Sequence, residues 1–147
     1  MKLHFEPVCP ENRKEIESLQ IFAEQIGFIE TVAECMTEAD EFCQWRPLGI
    51  YDGDVLVGFA MYGYFGTSLH DGRLWLDRLL IDKNYQGLGY GKAAVAALVE
   101  RLHREYNNID IYLSVYEANK AAIALYKQIG FHFTGEYDTK GEKIMLL

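Results

Sequence analysis

Gln86-Gly87-Leu88-Gly89-Tyr90-Gly91-Lys92 sets three glycines on alternate positions. They follow the apolar run Leu79-Leu80-Ile81 and precede a stretch in which Val95, Leu98, Val99 and Leu102 repeat with helical spacing. A glycine-rich turn between a strand and a helix is a backbone device for anions. The first N–H groups of the helix have no partner within it, and glycine lets a ligand approach them closely. Two nucleotide-binding loops fail on spacing. A P-loop needs G-x-x-x-x-G-K-[ST], but the position five before Gly91 is Gln86, and Ala93 follows Lys92. A dinucleotide fingerprint needs G-x-G-x-x-G, whereas these glycines stand at 87, 89 and 91. A tight turn that binds nothing remains the alternative.

Outward from the glycines, Leu74 to Ile81 reads as a strand, and the helix behind them can pair Glu100 with Arg104 and Arg101 with Glu105 on its wet side. Ile109, Ile111, Leu113 and Val115 alternate as a strand. Asn119 suits the N-cap of a helix running to Ile129, which Gly130 ends. Phe131-His132-Phe133 and Lys143-Ile144-Met145-Leu146 flank a turn at 138–141 as a closing hairpin. Upstream, KLHFEPV alternates as a strand, 11–26 reads as a helix broken by Gly27, and 28–44 reads as a second helix. Val32, Cys35, Met36, Ala39 and Phe42 fall on one side of that second helix, and Glu30, Glu34, Glu38 and Glu41 on the other. Leu48 to Tyr51, the Asp52-Gly53-Asp54 turn and Val55 to Tyr62 form a hairpin. The order β-α-α-β-β-β-α-β-α-β-β predicts an α/β fold, a mixed, mostly antiparallel central sheet flanked by helices, in a single domain over 1–147.

At 147 residues and 50% hydrophobic, the chain has material for one substantial core. It has no run of about 18 apolar residues and no apolar stretch near its start, so the expectation is a cytoplasmic protein that does not engage a membrane. A net charge of -8 argues against nucleic acid as a partner. That charge is uneven: no Lys or Arg stands between Lys14 and Arg46, where eight acidic residues fall, and a cationic ligand would be drawn there. A solvated helix face explains the same run. Cys9, Cys35 and Cys43 lack metal or disulfide spacing and read as buried thiols. His4, His70, His103 and His132 are scattered, so no metal is expected.

Read as [RQ]-x-x-G-x-[GA], Gln86, Gly89 and Gly91 resemble the acetyl-CoA pyrophosphate loop of the GNAT superfamily of N-acetyltransferases. Asn119, Ala122, Leu125, Tyr126, Gly130 and Phe131 resemble its second motif, N-x-x-A-x-x-L-Y-x-x-x-G-F. Within the superfamily, WRPLGIYDGDVLVGFAMYG, WLDRLLID, IYLSVYEAN and GEYDTKGE together are most similar to bacterial spermine/spermidine (diamine) N-acetyltransferases. The resemblance implies acetyl-CoA as cosubstrate. Its pantetheine arm would lie along Leu79, Leu80 and Ile81, and its pyrophosphate on the amides of Gln86, Gly87, Leu88, Gly89, Tyr90, Gly91 and Lys92, with Asn119 and Tyr126 completing the site. It also implies a small-molecule amine as acceptor and admits a homodimer.

Amide formation needs a neutral amine, yet alkyl amines with a pKa of about 10.4 arrive protonated, so a base is required. The resemblance gives that role to Asp77 through water. A buried acid paired with Arg78 is the other account of this residue. Tyr126 matches the superfamily's general acid for the departing thiolate, or else is a core aromatic. Glu30 and Glu34 are expected to hold a polyamine, with Trp45, Trp75 and Tyr116 lining its channel by cation-π contact, although core packing also explains the aromatic residues. Another amine acceptor (an aminoglycoside, an amino-acid derivative or a protein amine) and a non-catalytic acetyl-CoA sensor are the competing functions.

Overall fold

The computed structural model describes residues 1–68 and 70–147. Four strands, β1 (Leu3–Pro7), β2 (Trp45–Asp52), β3 (Val55–Phe65) and β4 (Arg73–Ile81), follow one another antiparallel. β5 (Ile111–Val115) runs parallel to β4. Of the last two strands, β6 (His132–Tyr137) and β7 (Lys143–Leu146), the second inserts between β5 and β6, antiparallel to both. The single sheet therefore has the order β1-β2-β3-β4-β5-β7-β6, mixed and mostly antiparallel as the element order predicts.

Two layers cover it. Helices α3 (Tyr90–Glu105) and α4 (Lys120–Ile129) bring Val95, Leu98, Leu102 and Ile123 onto Leu48, Leu74, Leu76, Ile111 and Met145. On the other face, α1 (Arg13–Glu17) and α2 (Val32–Glu41) pack Ile16, Val32, Cys35 and Met36 on Phe59, Met61 and Leu80. Each fully buried aliphatic here contributes about 1.5–3 kcal/mol by leaving water. Cys35 is buried as expected, but Cys9 is half-buried and Cys43 exposed. No described helix is long and apolar enough to cross a membrane.

Two helices come out shorter than their apolar spacing predicts. Within 11–26 the chain forms only α1 and one 3-10 turn at Ala23–Gln25. The backbone of Gln20 is engaged elsewhere: its N–H donates to Asp82 Oδ2 (2.9 Å) and its C=O accepts from the Lys83 N–H (2.7 Å). A helix continuing past Ser18 would have to give up both bonds. The second helix starts at Val32, not 28, because Thr31 is its cap: Thr31 Oγ1 accepts the Glu34 N–H, and Glu34 Oε1 accepts the Thr31 N–H, both at 3.2 Å. That reciprocal pair is a capping box. Glu30 consequently lies outside the helix. β2 begins earlier than expected, at Trp45, and β3 ends later, at Phe65.

β4 carries an irregularity that positions everything below. Opposite β3 its partners run Arg78 with Met61 and then Leu76 with Tyr62, so Asp77 is an extra residue, a β-bulge. Side chains alternate between sheet faces with period two, and one added residue reverses the phase. Leu74 and Leu76 join the α3/α4 core. Past the bulge, Leu79 and Ile81 keep that face while Leu80 turns to the α2 side, where Arg78 also lies.

Candidate active site

β4 and β5 pair only at Leu74 with Ile111 and Trp75 with Tyr112. Beyond that point the strands part, and the facing backbone groups of β4 find no partner on β5. The opening is a cleft of about 310 Å³. Asp77, Arg78, Leu79 and Ile81 stand on one wall, and Ser114, Val115 and Tyr116 on the other. Gln86, Gly87 and Gly91 close one end, and α4 contributes Asn119, Ala122, Leu125 and Tyr126.

At the glycine end, Gly87 (φ 76°) and Gly89 (φ 89°) occupy the left-handed region, where an added Cβ would meet no atom within 4 Å. Backbone conformation demands glycine there, not crowding. Gly89 caps α3, whose first intrahelical acceptor is used by Ala93 (N–H to Gly89 O, 3.2 Å). The amides of Tyr90, Gly91 and Lys92 therefore stay free to meet an anion, which fits a pyrophosphate. The side chains serve other ends. Tyr90 donates to Asp52 Oδ2 (2.5 Å), and Leu88 and Lys92 are exposed. Gln86 and Gln25 exchange two amide hydrogen bonds of 2.9 Å, and Gln86 also donates to the Ile81 C=O (2.9 Å). This ties the 19–31 segment to the glycine turn.

On the far side, Asn119 Oδ1 accepts the Ala122 N–H (3.4 Å) and starts α4, which carries Tyr126 to the cleft with Phe131 edge-on at 5.9 Å. Burial pushes the Tyr126 phenol up to about 12, and the Asp77 carboxylate adds to the rise. Tyr126 thus keeps its proton throughout the physiological range.

Asp77 faces it from the bulge. Its Oδ1 lies 3.4 Å from Ser114 Oγ, and its Oδ2 pairs with Arg78. Burial raises the Asp77 pKa, Arg78 opposes this, and the Glu38, Glu30 and Asp138 charges add to the rise. Arg78 also pairs with Glu30 (3.0 Å) and Glu38 (2.9 Å), while Lys140 pairs with Glu30 (3.0 Å). Burial opposes the Arg78 charge, but the surrounding carboxylates outweigh it and hold its proton tightly. The acidic run is therefore divided: Glu30 and Glu38 turn to Arg78, while Glu34 and Glu41 are exposed. Glu30 is on the cleft wall yet shared between Arg78 and Lys140, Glu34 is engaged in the cap of α2, and Asp40 pairs with Arg13 (2.8 Å). Those cations lie outside the 15–45 interval, so a local charge count does not see them.

A second cavity of about 270 Å³ shares Asp77 and Ser114 with the cleft and is otherwise lined by Trp45, Phe65, Trp75 and Asp138. The expected aromatic channel is thus divided: Trp45 and Trp75 stand at the second cavity, and Tyr116 in the cleft.

Glu142, which sequence reasoning passes over as part of a turn, also lines the cleft and is only 8% exposed. Its N–H donates to Asp138 Oδ1 (2.8 Å), as does the Lys140 N–H (2.9 Å), an Asx-type turn that Asp138-x-x-Gly141 signals. Burial, then bonding to Asp138 and its charge, push the Glu142 pKa from 4.5 up to about 7. A raised carboxyl pKa means that the folded state holds the proton more tightly than the unfolded chain. The stability it contributes is full below about pH 4.5 and is lost as pH rises through about 7. Glu142→Gln, which mimics the protonated form, should therefore be more stable than the parent at pH 8 by roughly 1–3 kcal/mol, with little difference at pH 4.5. Thermal melts at the two pH values check this, and an equal shift at both would show that the carboxyl is not the cause. Among the described residues, no group of three or more His, Cys, Asp or Glu is placed to hold a metal ion.

Residues 15–131 match the family model described as the acetyltransferase (GNAT) family. A relative from Bacillus subtilis subsp. natto (strain BEST195), a probable spermine N(1)-acetyltransferase, is 43% identical over 99% of this chain and 98% of its own length. Among solved structures, the spermidine N-acetyltransferase of Vibrio cholerae, crystallised with CoA and spermine, superposes with a TM-score of 0.75 at 16% identity, covering 99% of this chain and 95% of that one. An aminoglycoside acetyltransferase crystallised with coenzyme A reaches a TM-score of 0.80 at 18% identity over 99% and 94%. With the family model spanning residues 15–131 and a relative matched over nearly its full length, this chain belongs to the GNAT family of acetyltransferases.

Proposed function

We propose that the protein transfers the acetyl group of acetyl-CoA to a primary amine of a polyamine or diamine of the spermidine and spermine type, with both substrates bound at once. One observation carries this reading. The cleft, with its glycine-turned end, and the aromatic cavity meet at Asp77 and Ser114, so a donor in one and an acceptor in the other would touch at that point. The name of the 43%-identical relative supports the acceptor class.

The free amides of 90–92, with Gly87 and Gly89 leaving space in front of them, receive the pyrophosphate. The unpaired edge of β4 from Asp77 to Ile81 receives the extended arm as an added strand would. The thioester supplies an acyl carbon activated toward an amine. Asp77, through water, takes the proton that the ammonium must lose before its nitrogen can form the amide bond. Once the nitrogen has added to the acyl carbon it sheds its second proton to water, and as the C–S bond breaks Tyr126 gives its proton to the sulfur and regains one from that water, so the products are the N-acetyl amine, free CoA and the proton held by Asp77. A backbone N–H at Leu79 or Leu80 meets the developing oxyanion. Around this point, the carboxylates of Glu30, Glu38, Asp77 and Asp138 outnumber the cations Arg78 and Lys140, a field that favours a polycation.

The test is acetyl-CoA with a panel of amines, reading thiol release. Spermidine and spermine should be the best acceptors. Faster release with an aminoglycoside or an amino acid would replace the acceptor class. Binding of acetyl-CoA with no release from any amine would mean a sensor and sink the enzymatic reading.

A further inference from the structure

We infer that Gln25 is a positioning residue for the donor: it touches Gln86 and, through it, holds the 87–89 turn in the shape that presents the amides of 90–92 to an anion. This rests on the donor assignment proposed above and names what keeps that end of the cleft in order. The turn has little of its own to hold it. A Cβ on Gly87 or Gly89 would meet no atom within 4 Å, and Leu88 is 62% exposed. Three unpacked residues in a row, two of them glycine, sample many shapes unless both ends are pinned. At the far end the pin is the Tyr90 hydroxyl, which donates to Oδ2 of Asp52, the last residue of β2 (2.5 Å). At the near end it is Gln86.

Gln86 is not held by its own strand alone. Its Nε2 donates to the Ile81 C=O (2.9 Å), which leaves a second N–H and Oε1 to be satisfied at a half-buried position. Gln25 meets both: its Nε2 donates to Gln86 Oε1, and its Oε1 accepts from Gln86 Nε2, each at 2.9 Å. Turning the Gln86 amide over would set oxygen against oxygen and donor against donor, so the pair fixes its plane. Gln25 is itself braced. Its Oε1 also accepts the Phe22 N–H (3.1 Å), and the Gln20 backbone is bonded to Asp82 and Lys83, just ahead of Gln86 in the chain. A residue 61 positions away in sequence thereby sets one end of the turn. The amides are arranged before the anion arrives, and order already present is order the ligand does not have to impose. Because Gln25 also lines the cleft, a direct contact with the donor is the competing role.

Calorimetric titration of CoA, with no amine present, compares the parent, Gln25→Ala, Gln86→Ala and the double variant. Gln25→Ala should weaken CoA binding about 5- to 20-fold in the parent background and less than about twofold once position 86 is alanine, because its effect passes through Gln86. Equal losses in the two backgrounds, as a direct contact would give, overturn the proposal, and so does no loss in the parent background. In the transfer assay with spermidine, Gln25→Ala should raise the KM for acetyl-CoA by a similar factor and leave the KM for the amine within about twofold. A matching rise in both KM values would mean that the whole 19–31 wall has loosened, Glu30 included, and would also overturn it. A parent that binds no CoA removes the donor assignment and this proposal with it. A parent that binds CoA yet releases no thiol with any amine sinks the acetyl-transfer function alone, and the titration still decides the role of Gln25.

Discussion

Asp77→Asn is expected to lower kcat/KM for a polyamine by roughly 10²–10³-fold at pH 7 and by less than about tenfold near pH 10. The difference between the two pH values carries the information. At pH 7 only about one alkyl amine in 2,500 is neutral, so a variant without the base depends on that fraction, which grows about tenfold per pH unit up to about pH 10.4. Asparagine is close in shape to aspartate and can keep the Ser114 contact, and Arg78 retains Glu30 and Glu38, so the bulge need not collapse. Thiol release measured from pH 6.5 to 10 separates the outcomes. A uniform loss at all pH values would mean that Asp77 holds Arg78 in place and takes no proton.

Tyr126→Phe is expected to lower kcat by about 10²-fold while leaving the KM for acetyl-CoA within about threefold of the parent. The ring and its edge contact with Phe131 remain, so the change deletes one proton and one oxygen. A phenol whose pKa lies at about 12 does not ionise under assay conditions and is a constant proton source. Because the phenol is protonated across the assay range, its loss should lower kcat at every pH in that range, and an acyl donor with a more acidic thiol should recover part of the deficit. Full turnover with the phenylalanine, or an equal deficit with both donors, would remove Tyr126 from the chemistry.

The glycine turn and the Asn119-to-Phe131 stretch are legible because their physics is local. Positive φ at 87 and 89, a capping asparagine and a helix-ending glycine are each set by residues within a few positions. The 11–31 segment is not legible by periodicity, because the Gln20 backbone bonds to Asp82 and Lys83 and the Glu30 carboxylate to Arg78 and Lys140, all more than forty residues away. The Asp77 bulge left a trace: Leu74, Leu76, Leu79 and Ile81 are spaced two, three and two, and the extra step is the phase reversal. Thr31-x-x-Glu34 likewise announces its cap and would have moved the start of α2. The second cavity has no such trace, since β2, β3, β4, β5 and the β6–β7 turn each contribute to it.

The two residue pairs joining β4 to β5 also have a mechanical meaning. They are the seam between two antiparallel plates, β1 to β4 on one side and β5, β7 and β6 on the other. A seam so short leaves the open part of the wedge bridged by side-chain packing beneath α3 and α4 and not by backbone bonds. An extended molecule bonded along β4 inside that wedge would add backbone bonds where the sheet has none. The stiffest form of the molecule would then be the one that already holds the donor it is about to consume, and each turnover would end by loosening the sheet that made it possible.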